Sequence, residues 1–383
     1  MCRRMKKKYI RLIIIFIIAV LLNIMAWLGP VIDEHTHMGN WCDFYADHIT
    51  GIWVNTYARF MDIFPFSVGE IMLTLAVLLI LALVLSVPFF IVLKIKKKNI
   101  SRLKRFYLIC GYITGIVSII MTLNCTILYH VTPMDGNPQI ESRNYSVDEL
   151  EKLRNYLVEK CNELCVKFER DEKNAITNCE FTQAEIKDSL RSLSKKYGRL
   201  SGYYPDVKPM FYSRLMTQAY TMGYYFPFSM EANYNKLLYS VNIPSTLAHE
   251  LAHIKGYIYE DEASFIGFLA CINSENEFIQ YSGYLDVLAY VNKAYCKSLN
   301  KDDSRYRKQP GFSEQLKTDY YTFVGEDVWK DIREKAVLDT EFVNNVSNSF
   351  TETSLNLNGV DDGMASYDRV VDLLLQYYDG VLY

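Results

Sequence analysis

Apolar positions along this chain change their spacing once. Through the first 130 residues they run almost unbroken in three stretches, and beyond that they recur every three or four residues among polar ones. Leu12 to Gly29, Ile71 to Leu93 and Phe106 to Tyr129 each approach or exceed the roughly 20 residues with which a helix crosses a bilayer. The first run follows a basic start (Arg3, Arg4, Lys6, Lys7, Lys8, Arg11), as a signal peptide would. No small-x-small cleavage site closes it, and Trp27 and Pro30 stand there instead, so it reads as an uncleaved anchor. Pro88 is a tolerable kink inside the second run.

After residue 130 the pattern becomes that of a folded domain. Ser146-Val147-Asp148-Glu149 reads as a capping box opening an amphipathic helix with the stripe Leu150, Leu153, Leu157, Cys161, Leu164, Cys165, Phe168. Thr182-Gln183-Ala184-Glu185 reads as a second box, before Ile186, Leu190 and Leu193. Met222 to Tyr239 is aromatic and interrupted by turn residues, which predicts short strands, with Met230–Tyr234 as the candidate edge strand. Further helices are expected over Phe265–Leu269, Phe278–Tyr295, Asp327–Phe350 and Ser366–Tyr378, with a loop at Asn356–Ala365. The fold class is therefore α+β and mostly helical. Residues 1–130 form a membrane domain with spans at about 12–29, 71–93 and 106–129, and residues 131–383 a second domain.

Charge orients the spans. Lys94, Lys96, Lys97, Lys98, Arg102, Lys104 and Arg105 crowd the linker between the second and third, while Asp33, Glu34, Asp43, Asp47 and Asp62 outnumber Arg59 between the first and second. The positive-inside rule places the N-terminus and the basic linker in the cytoplasm and everything after the third crossing outside, giving a multi-pass protein of the cytoplasmic membrane with an extracytoplasmic C-terminal domain. The first 129 residues hold 14 Lys+Arg against 6 Asp+Glu, and the remainder 27 against 38. An acidic outer domain excludes a nucleic-acid partner and leaves the lipid bilayer and a protein or peptide substrate as the expected partners. Nine cysteines show no metal-type spacing beyond Cys161-x-x-x-Cys165, which lies on an apolar stripe and reads as buried thiols. Glu34-His35-Thr36-His37 reads as a solvated loop.

Candidate chemistry is concentrated in His249-Glu250-Leu251-Ala252-His253. Histidines four apart share one helix face and can reach one metal ion, with the glutamate between them placed to deprotonate a metal-activated water. Only six histidines occur in the chain, three of them beyond residue 48, so the pair stands out. Ser245 or Thr246 is the natural N-cap of this helix, with Pro244 just outside, and Gly256 can end it. A zinc centre of this type needs a third protein ligand. An unbroken helix would carry Glu260 about 10 Å along the axis from His253, so a turn at Gly256 has to fold a second helix back. Glu260-Asp261-Glu262-Ala263-Ser264 resembles the Glu-x-x-(Ala/Ser)-Asp pattern of glutamate-type zincins. The resemblance makes Glu260 the preferred third ligand, Ala263 the small residue for close packing, and Ser264 the replacement for an aspartate that orients a ligand histidine. Glu262 is the alternative third ligand. Tyr259 stands where a metzincin would carry its third histidine, which excludes that clan.

GYYFPFSMEANYN, PSTLAHELAHIKG, EDEASF, the YSGY of Tyr281–Tyr284 and NGVDDGMASY (Asn358–Tyr367) follow three N-terminal spans in this order. The arrangement resembles, over nearly the whole chain, an uncharacterised bacterial membrane family, domain of unknown function 3810, in which Asn is usual where Ser264 stands here. The resemblance implies a zincin-like zinc peptidase and brings no substrate. On this expectation Zn²⁺ is held by His249, His253 and Glu260, Glu250 is the general base, and Tyr281, Tyr284, Tyr367 and Arg369 are the oxyanion-stabilising candidates. Two other readings remain: a membrane sensor or scaffold with a structural zinc, and a zinc amidase acting on cell-envelope material. An intramembrane protease is disfavoured, because Lys255, Glu260, Asp261 and Glu262 crowd the site.

Overall fold

A computed structural model of the protein describes residues 2–36, 39–134, 143–300, 303–360, 363–364 and 369–383. It is mostly helical, with 69% helix and few strands. Three helices are long and apolar enough to cross a membrane: Lys6–Thr36, Val68–Ile95 and Ser101–His130. Each overruns its apolar run into polar flanks, where Lys and Arg are good helix formers in their own right. Pro30 and Pro88 both lie inside helices. The first and third helices pack closely, since a Cβ on Gly111 or Gly115 would come within 3.0 Å of Leu12 or 2.6 Å of Ile15. Asn23 Nδ2 donates to Thr122 Oγ1 at 2.7 Å across the same pair. The second helix stands apart. From Ile71 to Ile95 none of its residues is buried, and it meets the third helix near the basic linker, through Ser86 and Tyr107 hydroxyls 2.8 Å apart and the Phe90 ring.

Residues between the first two spans fold into short helices. Helices Trp41–His48, Thr50–Trp53 and Arg59–Met61, with a wide turn at Val54–Ala58, bury Cys42, Tyr45, Ala46, Val54 and Ala58 in one core. That core also contains Ile127, Leu128 and Val131 from the end of the third span, and Leu247, Ala248 and Leu251 from the His-Glu-x-x-His segment. A second core joins helices Val147–Cys165, Glu277–Ser298 and Val370–Tyr378. Helices Val147–Cys165 and Gln183–Ser192 both open in the capping boxes expected at Ser146 and Thr182. Cys161 and Cys165 are buried free thiols. Glu34, His35 and Thr36 are the last turn of the first helix and not the loop expected there, because the helix runs past its apolar stretch; His35 is exposed and bonds back to the Val31 carbonyl, and His37 lies outside the described residues.

Three short strands form one sheet in the order β1 (Lys208–Pro209), β3 (Glu231–Tyr234), β2 (Gly223–Phe226). β1 runs parallel to β3, and β2 antiparallel to it. This corrects the sequence-based expectation: Met230–Tyr234 contains the central strand, and β2 is the edge. The turn after Phe226 folds β2 onto one side of β3, with Met230 in the left-handed region at φ 50°, and β1 takes the other side. The single helix expected over Asp327–Phe350 is two, Glu326–Lys335 and Thr340–Leu357. Asp339 starts the second by accepting from the Phe342 N–H at 3.0 Å, a local cap that outcompetes continuation. The last helix begins at Val370.

Asp319 ties the second core together. Its carboxylate takes both arms of the Arg170 guanidinium, at 3.0 and 2.6 Å, and the hydroxyls of Tyr239 and Tyr281 at 2.8 and 2.6 Å. Removing a buried carboxylate strands its cation, which typically costs about 3–5 kcal/mol. Asp319→Ala should therefore lower the apparent Tm of the detergent-solubilised full-length protein sharply. Arg170→Lys, which keeps the charge and loses the fork, should lower it less; equal melting of Asp319→Ala and wild type would refute this role.

Candidate metal centre

The His-Glu-x-x-His segment lies on helix Asn242–Ile254, one turn longer at its start than expected. Ser245 and Thr246 are not caps. Ser245 N–H donates to Ser282 Oγ at 2.9 Å, and Thr246 Oγ1 donates back to the Asn242 carbonyl at 2.6 Å. Pro244 is tolerated because it falls in the first turn, where its missing N–H would have had no helical partner. The helix ends as anticipated at Gly256, which sits at φ 88° while the Tyr257 N–H returns to the Ala252 carbonyl at 3.2 Å. A second helix, Glu260–Ile272, then packs back against the first. Their closest approach is at Gly267, where a Cβ would lie 3.1 Å from the backbone nitrogen of His249. Ala263 is fully buried, as its small size allows.

This folding back brings Glu260 to both histidines. Glu260 Oε2 lies 3.1 Å from His249 Nε2 and 3.5 Å from His253 Nε2, and the three candidate ligand atoms fall within 4.8 Å of one another. A tetrahedral ion with bonds of about 2.0–2.1 Å has ligand–ligand edges of about 3.4 Å, so the donor set fits Zn²⁺ in chemistry and spacing. Both imidazoles are oriented from behind. His253 Nδ1 is 2.8 Å from the Tyr257 carbonyl, which fixes the tautomer with Nε2 turned to the centre. His249 Nδ1 is 3.2 Å from Ser264 Oγ. The serine thus occupies the orienting position with a neutral hydroxyl.

Electrostatics follow from burial. Burial would raise Glu260, but the charge of His253 and hydrogen bonds from both imidazoles outweigh it and hold the carboxyl well below the usual range. His253 is pushed up to about 9, because Glu260 more than offsets its desolvation. Desolvation dominates for His249, which is lowered. Glu250 is only 4% exposed and is raised to about 8, chiefly by desolvation. Its Oε2 has no hydrogen-bond partner among the described residues. Gly223, the first residue of edge strand β2, lies directly on this carboxylate, and a Cβ there would collide with it.

The remaining candidates separate. Glu262 is turned away from the centre, its Oε1 accepting from the Met134 N–H at 2.7 Å, so it does not join the cluster as the alternative third ligand. Tyr281 is committed to Asp319, and Tyr284 packs edge-on against Tyr156 and Phe268, both within the second core. Neither faces the donor cluster, and both correct the expectation of an oxyanion role. Arg369 reaches the first turn of helix Glu260–Ile272, where its Nε donates to Asp261 at 3.1 Å. Tyr367 lies outside the described residues. Sequence reasoning missed Tyr224, on β2, whose phenol lies within electrostatic reach of Glu260 and Glu250 and is raised by desolvation and then by both charges. Thirty tyrosines concealed it, and its place beside Gly223 on an edge strand is the signal that distinguishes it. Tyr225, its neighbour, faces inward and stacks on the His253 ring at 6.0 Å.

A family model described as "Protein of unknown function (DUF3810)" matches residues 45–375, which takes in the whole cluster and the second and third membrane helices. No curated protein and no solved structure matches the chain. The geometry predicts the metal stoichiometry of purified full-length variants. Zinc should be lost with His249→Ala, His253→Ala or Glu260→Ala and retained with Glu262→Ala. Ser264→Ala should weaken binding by roughly 10–100-fold, the usual cost of removing a group that orients a ligand histidine. Elemental analysis and competitive chelator titration check both; zinc loss in Glu262→Ala alone would reverse the assignment.

Proposed function

Because the chain belongs to DUF3810, a family whose description carries no activity, we propose its function from the centre itself: a membrane-anchored zinc-dependent metallopeptidase with a zincin-like fold. It would hydrolyse peptide bonds outside the cytoplasmic membrane, with the N-terminus and the basic Lys94–Arg105 linker on the cytoplasmic side. The observation that carries this reading is Glu250. A buried carboxylate with an unpartnered oxygen, beside three convergent metal-type donors, is costly to keep and has no use in a purely structural zinc site.

His249, His253 and Glu260 would hold the ion. A Zn²⁺ bound there would supply Lewis acidity, lowering the pKa of a water towards neutrality and polarising the scissile carbonyl. Glu250 takes the proton of the attacking water and delivers it to the leaving amine. Tyr224, within electrostatic reach of Glu260 and Glu250, would offer a phenolic O–H to the developing oxyanion. Strand β2 favours a peptide over other amides. Among the described residues it is paired with a strand, β3, on one side only, and it starts at Gly223 against the general base, so an extended peptide can add to its other edge. Gly223, without a side chain, lets the start of this strand lie directly against Glu250.

Glu250→Gln tests the reading in the full-length protein supplied with a mixture of peptides. The variant should keep one zinc and lose hydrolysis by on the order of 10²–10⁴, the usual worth of a general acid–base. Unchanged turnover, or no zinc-dependent turnover in the wild type, would sink the peptidase assignment. Tyr224→Phe should lower kcat by about 10²–10³ with little change in KM, the signature of a contact made in the transition state.

A further inference from the structure

Strand β2 points from the base to the membrane. Its first residue, Gly223, lies on Glu250, and its last, Phe226, packs on Gly69 in the first turn of the second membrane helix. Tyr225 Oη donates to the Asn124 carbonyl at 3.3 Å, and Asn124 Nδ2 donates to the Pro227 carbonyl at 3.1 Å, both at the domain-side end of the third membrane helix. Counting from Arg105, the last basic residue of the linker, the roughly 20 residues of a bilayer crossing end at about Cys125. Pro227 therefore lies level with the edge of the hydrocarbon layer, and the general base lies one short strand above it, about 13 Å at 3.3 Å per residue.

Below Pro227 the membrane helices leave a way in. The second helix is held to the sheet at its top and to the third near the basic linker, and between these points none of its residues is buried. Above, helix Thr340–Leu357 presents Phe342, Val346 and Phe350, one turn apart and 57, 53 and 64% exposed. Gln218 bonds to Leu338 and Thr340 at its start, and Gly359 just beyond its end touches Trp27 of the first membrane helix. A helix ending on a membrane span, with an apolar stripe turned outward, suits the bilayer interface.

Resting on the peptidase reading, we propose that the substrates are peptides anchored in the same membrane, entering between the second and third helices and cut about three to five residues outside the bilayer, where an extended strand along β2 reaches Glu250. The bilayer and strand length would then set the cleavage position, with side-chain preference secondary.

The test uses full-length protein in phosphatidylcholine–phosphatidylglycerol vesicles and a degenerate peptide library, palmitoylated at either end or left free, with products read by mass spectrometry. The anchored library should be cut on the order of 100-fold faster than the free one, through its higher effective concentration. Cuts should cluster about three to five residues from the anchor. Inserting two glycines next to the palmitoyl group should move the cuts by two library positions towards the anchor. Equal rates on both libraries, with cuts unrelated to anchor distance and abolished by Glu250→Gln, would overturn the anchored-substrate proposal and leave the peptidase reading intact. No Glu250-dependent cleavage of either library by zinc-loaded protein would overturn both.

Discussion

Glu231 is the residue on which the sheet and the membrane helices meet. Only 3% exposed, its carboxylate accepts from Lys208 Nζ at 2.6 Å and from the Val68 and Gly69 N–H groups at 3.1 and 2.6 Å. Those two N–H groups open the second membrane helix and have no helical partners of their own, and the positive end of the helix dipole adds to their attraction. A buried carboxylate without such partners would cost several kcal/mol, so the three donors and the strand that carries Glu231 are obligatory companions. Glu70 returns the bond, its two oxygens accepting from the Phe211 and Tyr212 N–H groups at 2.8 and 2.9 Å. Lys208 on β1 and Glu231 on β3 thus clamp the sheet to a helix end. Through the β3–β2 pairing the same clamp sets Gly223 on Glu250. Lys208, Glu231 and the β3–β2 pairing carry the position of a membrane helix to Glu250.

Within the cluster, Ser264 does with a hydroxyl what an aspartate would do with a charge. Glu250, buried, and Glu260, half-buried, are already two carboxylates beside two imidazoles. A third anion against His249 would raise the proton affinity of that imidazole, which has to be neutral to ligate a metal. As it stands, burial lowers His249 and a neutral partner leaves that effect in place, whereas the Glu260 carboxylate raises His253.

Local signals in the sequence suffice where a single helix or turn decides the outcome. The membrane runs, the Ser146 and Thr182 capping boxes, the turn at Gly256 and the convergence of His249 and His253 all follow from spacing along one segment. The pattern around Glu260 also points to the carboxylate that meets the imidazoles. Features that escape such signals depend on pairing between distant segments. Periodicity cannot tell an edge strand from a central one, so it points to β3 for the rail that β2 provides. Glycine counts give no hint that Gly267 lets two helices close on His249 or that Gly223 lies on Glu250. The acidic stretch between the first two spans looks solvated in sequence because its polar residues conceal short helices whose apolar side faces the motif helix.

That hidden face decides what the folding unit is. Leu128 and Thr50 both touch Gly256, the turn that brings Glu260 back, and Cys42, Tyr45, Ala46, Val54, Ala58 and Ile127 are buried in the core behind the motif helix. A fragment starting at about residue 131 would lose all of these and expose the surfaces they cover. Uncovering a fully buried large apolar side chain costs about 1.5–3 kcal/mol, so losing several approaches the whole 5–15 kcal/mol by which a domain is stable. Chain order separates the three spans from the residues after them; packing does not. The turn that assembles the cluster leans on residues from both sides of that line, so the membrane helices are part of the centre's scaffold as well as its tether.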